Sequence, residues 1–99
     1  MVVYLYRWKL KAGREPEFKA SWALVTQALR QNCGSKGSRL HLSSNGDWLG
    51  YAQWPSPEAR DSCQFSSPEF SRARASMKEA IEISYPEERL AVEEDFLVF

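Results

Sequence analysis

Residues 2–10, VVYLYRWKL, alternate in two registers that differ from each other. The even positions, Val2, Tyr4, Tyr6, Trp8 and Leu10, are all apolar or aromatic. The odd positions begin apolar, with Val3 and Leu5, and turn basic at Arg7 and Lys9. Successive side chains of an extended segment point to opposite faces. The run therefore reads as a strand with one wholly apolar face and a second face that is apolar only at its start. Such a strand needs cover along one side and over part of the other, which asks for layers on both sides of a sheet. Lys11-Ala12-Gly13 is the exit.

From Glu15 to Asn32 the period becomes helical. Phe18, Trp22, Val25 and Leu29 make one stripe, Pro16 suits the first turn, and Gly34 supplies the stop. Ser38–Ser43 is a short strand with Leu40 and Leu42 on one side and Arg39 and His41 on the other. Ser44-Asn45-Gly46-Asp47 is a hairpin turn, and Trp48–Trp54 returns antiparallel until Pro55 ends it. The triplet Ser-Pro-Glu then occurs twice, at Ser56 and at Ser67. Serine accepts from free helix N–H groups, proline presets the first helical φ, and glutamate complements the N-terminal dipole. Two helices follow: a short one over about 57–63, and a longer one with Phe70, Ala73, Met77, Ile81 and Ser84 on one face. Tyr85-Pro86 breaks the second, and residues 90–99 alternate as a last strand. The order β-α-β-β-α-α-β is that of an α+β, ferredoxin-like split βαβ domain with a four-stranded antiparallel sheet.

The bulk properties bound what such a domain does. Ninety-nine residues make a single domain, 1–99, with four Trp, five Phe and four Tyr to bury. Both helical stripes cover one sheet face, and the other is too apolar for water, so a second copy of the sheet is expected over it, as a homodimer. Thirteen basic and thirteen acidic residues leave no net charge, which argues against nucleic acid as a partner. No apolar run is long enough to span a membrane, and the alternating N-terminus does not resemble a signal peptide, so the expected location is cytoplasmic. Cys33 and Cys63 form no C-x-x-C and have no nearby zinc partners, and they read as small buried thiols. Gly34–Ser38 is glycine-rich but follows a helix rather than opening one, so it is not a phosphate cradle.

The run from Tyr51 to Phe70 contains W-x-S-x-E-A (Trp54, Ser56, Glu58, Ala59) and S-P-x-F (Ser67, Pro68, Phe70). Together with K-x-G at Lys11 and Gly13, and E-x-x-F at Glu15 and Phe18, it resembles the antibiotic biosynthesis monooxygenase-like family of dimeric α/β barrels. The resemblance covers nearly the whole chain. It implies a cofactor-independent monooxygenase acting on a small hydrophobic, aromatic or quinol-like metabolite, with no metal, flavin or other cofactor. In the family's oxygenases a Trp closes the third strand and an Arg lies on the long helix, which Trp54 and Arg74 match as the implied catalytic pair. An Asn four residues before the Trp is Gly50 here, and a Tyr shortly after it is Arg60. In the heme-degrading branch an Asn on the first strand and a His on the long helix are required. Tyr6 and Arg74 stand in those places, and a cationic guanidinium cannot replace imidazole on iron, so heme degradation is disfavoured.

Each candidate has a plainer alternative. Trp54 either stands at a pocket mouth or packs the sheet against the first helix through Trp22. Arg74 either holds an oxyanion or is a solvated helix arginine. Tyr4, Tyr6 and Trp8 form a core face or an aromatic wall with hydroxyls for a polar ligand group. Tyr6, Trp22, His41, Gln53 and Phe65 are the expected ligand contacts, with His41 on the polar side of its strand and lacking a visible partner. The second functional class is a non-catalytic ligand-binding or accessory dimer of the same fold.

Overall fold

The alternating N-terminal run is β1 (Val2–Leu10), and it lies inside the sheet with partners along both edges. After it the computed structural model, which describes residues 1–98, has α1 (Glu15–Cys33), β2 (Gly37–Leu42), β3 (Trp48–Trp54), α2 (Pro57–Asp61), α3 (Pro68–Ala80), β4 (Ile81–Ser84) and β5 (Glu88–Ala91). β1 pairs antiparallel with β3 from Val2 opposite Trp54 to Trp8 opposite Trp48, and β2 adds outside β3. On the other edge β4 pairs with Trp8–Leu10 and β5 with Val2–Leu5, both antiparallel. The five strands thus make four tracks, in the order expected of a ferredoxin-like α+β sheet, with the last track built from two short pieces. The Tyr85 N–H bridges the seam by donating to the Arg7 carbonyl at 3.0 Å.

Two expected boundaries move. The long helix stops at Ala80, and Ile81-Glu82-Ile83-Ser84 is strand. Ile81 and Ser84 satisfy the helical stripe, but the two β-branched isoleucines also alternate, and pairing with Lys9 and Leu10 decides for the sheet. The final strand is only Glu88–Ala91 rather than 90–99. Val92 still donates to the Met1 carbonyl at 3.4 Å, and Phe99 lies outside the described residues.

Both Ser-Pro-Glu triplets cap helices. Ser56 Oγ accepts from the Ala59 N–H at 3.2 Å and Ser67 Oγ from the Phe70 N–H at 3.0 Å. α1 ends as its sequence requires: Gly34 takes φ 76° and its N–H donates to the Leu29 carbonyl. The cysteines are not the free thiols expected. Cys33, at the last turn of α1, is bonded to Cys63, just past α2, with Cα atoms 5.4 Å apart across a sequence separation of 30. The reason is tertiary: Ala59 of α2 and Cys33 at the end of α1 pack on the same Trp54 cluster, which brings Cys63 within bridging reach.

The core lies between one sheet face and the helices. Val2, Tyr4, Ala52 and Trp54 form one buried cluster, with Leu29, Cys33 and Ala59 packed on it. Trp8, Leu10, Phe18 and Ala80 form a second, with Trp22, Met77 and Ile81 against it. Phe18 is fully buried, and burying such a side chain contributes on the order of 2–3 kcal/mol. Tyr6 borders both clusters. On the opposite face of the sheet, register places Val3, Leu5, Leu49, Tyr51, Ile83 and Leu90, of which Ile83 and Leu90 are exposed.

Candidate functional site

Between the core face of the sheet and the helices is a cavity of about 510 Å³. Its aromatic walls come from three directions: Trp54 from the end of β3, Trp22 from α1, and Phe65 and Phe70 from the loop before α3 and its first turn. Phe65 and Phe70 meet edge to face, with ring centroids 5.4 Å apart. Trp54 is buried at 3 % exposure, and its cluster does not include Trp22, so it meets α1 through the Leu29 and Cys33 end instead.

Trp8 sets the floor. Its ring stacks on Tyr6 at 5.7 Å, meets Phe18 edge to face at 5.1 Å, and lies over Gly50. A Cβ at position 50 would come within 2.8 Å of the indole. Any side chain at position 50 would need space that Trp8 of the same chain already fills.

Polar groups gather at one end. Arg60, from α2, lays its guanidinium 3.9 Å from the Tyr4 ring centroid and 6.0 Å from that of Tyr6. Its Nη2 donates to Glu87 Oε2 at 2.8 Å. Glu87 comes from the seam between β4 and β5. Burial raises the Tyr6 pKa above the phenol's usual value, against the opposing pull of the nearby Arg60 charge, so the hydroxyl stays a neutral donor. For Arg60, burial works against the cation, but contact with Tyr4 and Glu87 outweighs it and the pKa is raised.

Of the residues singled out in the sequence, Trp54, Arg74, Tyr6, Trp22 and Phe65 meet around this cavity. Arg74 is exposed at the rim, its Cζ 5.7 Å from the Phe70 ring centroid. His41 and Gln53 are not among them. Strand parity sends both to the opposite face of the sheet, where His41 Nδ1 lies 3.4 Å from the Leu49 carbonyl and Gln53 Nε2 donates to Tyr51 Oη at 3.1 Å. Two residues of the site carried little signal. Arg60 stood out only as the replacement for a family tyrosine, and Glu87 reads in the sequence as one more acidic residue near the end. Among the described residues no three His, Cys, Asp or Glu side chains converge to hold a metal ion, and no helix is long and apolar enough to cross a membrane.

No protein-family model and no curated protein matches the sequence. Solved structures do match over almost the whole chain. Rv0793 from Mycobacterium tuberculosis is 18% identical with a TM-score of 0.75, covering 97% of this chain and 98% of its own. A candidate antibiotic biosynthesis monooxygenase from Bordetella bronchiseptica is also 18% identical, with a TM-score of 0.74 and 97% coverage of both chains. SnoaB, a cofactor-independent oxygenase from Streptomyces nogalater, is 13% identical with a TM-score of 0.76, covering 96% of this chain and 95% of its own. The chain has the fold of the antibiotic biosynthesis monooxygenase-like proteins.

Proposed function

We propose that the protein is a cofactor-independent monooxygenase for a small aromatic or quinol-like metabolite. The observation that carries this reading is the cavity itself: aromatic walls converging with a neutral tyrosine hydroxyl and two arginines in a fold shared with a cofactor-independent oxygenase. A substrate with an acidic ring carbon or hydroxyl would lose a proton to water and become a stabilised anion. The anion reduces molecular oxygen by one electron, the two radicals combine to a peroxide, and the peroxide loses water to leave a ketone or quinone. One oxygen atom enters the product and the other leaves as water. The site's task is to stabilise the anion and limit water. In this reading Trp54, Trp22 and Phe65 hold the ring, and Arg74 and the Tyr6 hydroxyl stabilise the oxyanion. His41 and Gln53, on the other sheet face, take no part.

A second copy completes the barrel. The sheet face away from the helices carries the part-exposed Leu5, Leu49 and Tyr51 and the exposed Ile83 and Leu90, and Phe96, Leu97 and Val98 stand exposed beyond β5, at 86%, 60% and 94%. Burying these apolar groups against a twin sheet favours a homodimer.

Oxygen uptake with a panel of anthrone-like and hydroquinone substrates tests the reading. Uptake is expected from the wild type and a loss of at least about tenfold from Trp54→Ala or Arg74→Ala. Uptake unaltered by both substitutions removes these site assignments. Silence across the panel favours the other class, a ligand-binding or accessory dimer. Native mass spectrometry is expected to show a dimer, and a retained heme or flavin would overturn the cofactor-free mechanism.

A further inference from the structure

The two arginines of the cavity are held differently. Arg74 is exposed at the rim and forms no salt bridge among the described residues. Arg60 is half-buried, laid over Tyr4, which is itself only 2% exposed, and it touches a carboxylate that belongs to the cavity lining. A guanidinium carries five N–H donors and grips a carboxylate best through two of them. Glu87 is hydrogen-bonded through Nη2 alone. The pair is also open to water, with side chains 28% and 43% exposed, so it is weak and exchangeable.

The charge of the lining differs from that of the chain. The protein is neutral, yet the cavity is lined by Arg60, Arg74 and Lys78 against Glu87, three cations to one anion. The same lining holds the rings of Trp8, Trp22, Trp54, Phe65 and Phe70. A flat apolar body with one terminal anion would match both halves. A carboxylate is already the group that occupies this corner.

We infer that Arg60 is the anchor for the carboxylate of a planar aromatic acid, and that Glu87 is the chain's own occupant of that anchor, displaced when the acid enters. Displacement would also free α2 from the β4–β5 seam, since the Arg60–Glu87 pair joins the two. The inference rests on reading the cavity as a ligand site and narrows its ligand class.

Calorimetric binding of 2-naphthoate and of its neutral twin 2-naphthalenemethanol to the full chain tests it. The acid is expected to bind about tenfold or more tighter than the alcohol, the scale of hydrogen bonds to a charged group. Arg60→Gln is expected to erase that preference while retaining the alcohol's affinity. Glu87→Gln should tighten the acid roughly threefold and leave the alcohol unmoved, since it removes only a weak competitor. Equal binding of the two probes, or a preference that survives Arg60→Gln, overturns the anchor but leaves the cavity as a ligand site. Should Arg60→Gln fail to fold, Glu87→Gln decides alone, and no gain for the acid overturns the proposal. If neither probe binds the wild type, the reading of the cavity falls and the anchor falls with it.

Discussion

α2 and α3 start from the same triplet and end as different objects. Each has serine at the cap, proline in the first turn and glutamate behind it. α3 then runs for 13 residues and buries Phe70, Ala73 and Ala80, whereas α2 stops after five and buries none. A cap satisfies free N–H groups and starts a helix, but an apolar stripe decides whether extending it is favourable. Without a stripe, α2 is positioned from outside: by the Cys33–Cys63 bond at its exit, by Ala59 against the Trp54 cluster, and by Arg60 on Tyr4 and Glu87. One helix is held by packing and the other by tethers, and the tethered one closes the polar end of the cavity.

The largest test of this contrast is a cavity in the packed helix. Phe70→Ala should cost about 3–5 kcal/mol in denaturant unfolding, while Glu58→Ala on α2 stays within about 0.5 kcal/mol. Similar losses from the two would erase the distinction. Next comes the tether. Cys63→Ser should lower global stability by roughly 2–4 kcal/mol and, by hydrogen exchange, loosen the α2 amides far more than those of α3. Uniform loosening would mean that α2 is not a separately held unit. The caps come third. Ser67→Ala should cost about 1 kcal/mol in global unfolding, whereas Ser56→Ala should appear mainly as faster exchange within α2.

The smallest effect is one of pH. Tyr6 lies beneath α2, and its folded pKa is raised above the unfolded value near 10.0. Its contribution to stability is therefore fully present below pH 10 and is lost as pH rises through the folded pKa. Tyr6→Phe should flatten that alkaline decline, read as the midpoint of unfolding against pH. An identical decline in both proteins would assign the loss to other groups.

The sequence was most legible where a period ran without competition. Val2–Leu10 and the Phe18–Leu29 stripe carry one reading each, and the triplets name their own caps. It was ambiguous at Ile81–Ser84, where the same residues satisfy periods of both helix and strand and only pairing with β1 decides. The disulfide was hidden because no local spacing announces a partner 30 residues away; it depends on α2 and the end of α1 meeting on the Trp54 cluster. The aromatic part of the site could be read from Trp54 and Phe65, since large apolar side chains at element ends commonly meet at a pocket. The polar corner could not, because Arg60 and Glu87 are ordinary surface residue types until the seam between β4 and β5 sets them face to face. His41 and Gln53 show a third case: both sit on well-read strands and face away from the cavity.

That seam also bears on how the molecule behaves in company. A sheet edge with a long row of free N–H and C=O groups is a template for unwanted strand addition. Here the outer track beside β1 is two strands of four residues each, interrupted by Tyr85-Pro86-Glu87, and Pro86 has no N–H to offer. An incoming strand would find matched hydrogen-bonding groups for only a few residues before a break and a carboxylate. The interruption that puts Glu87 into the cavity lining thus also makes this edge a poor site for aggregation.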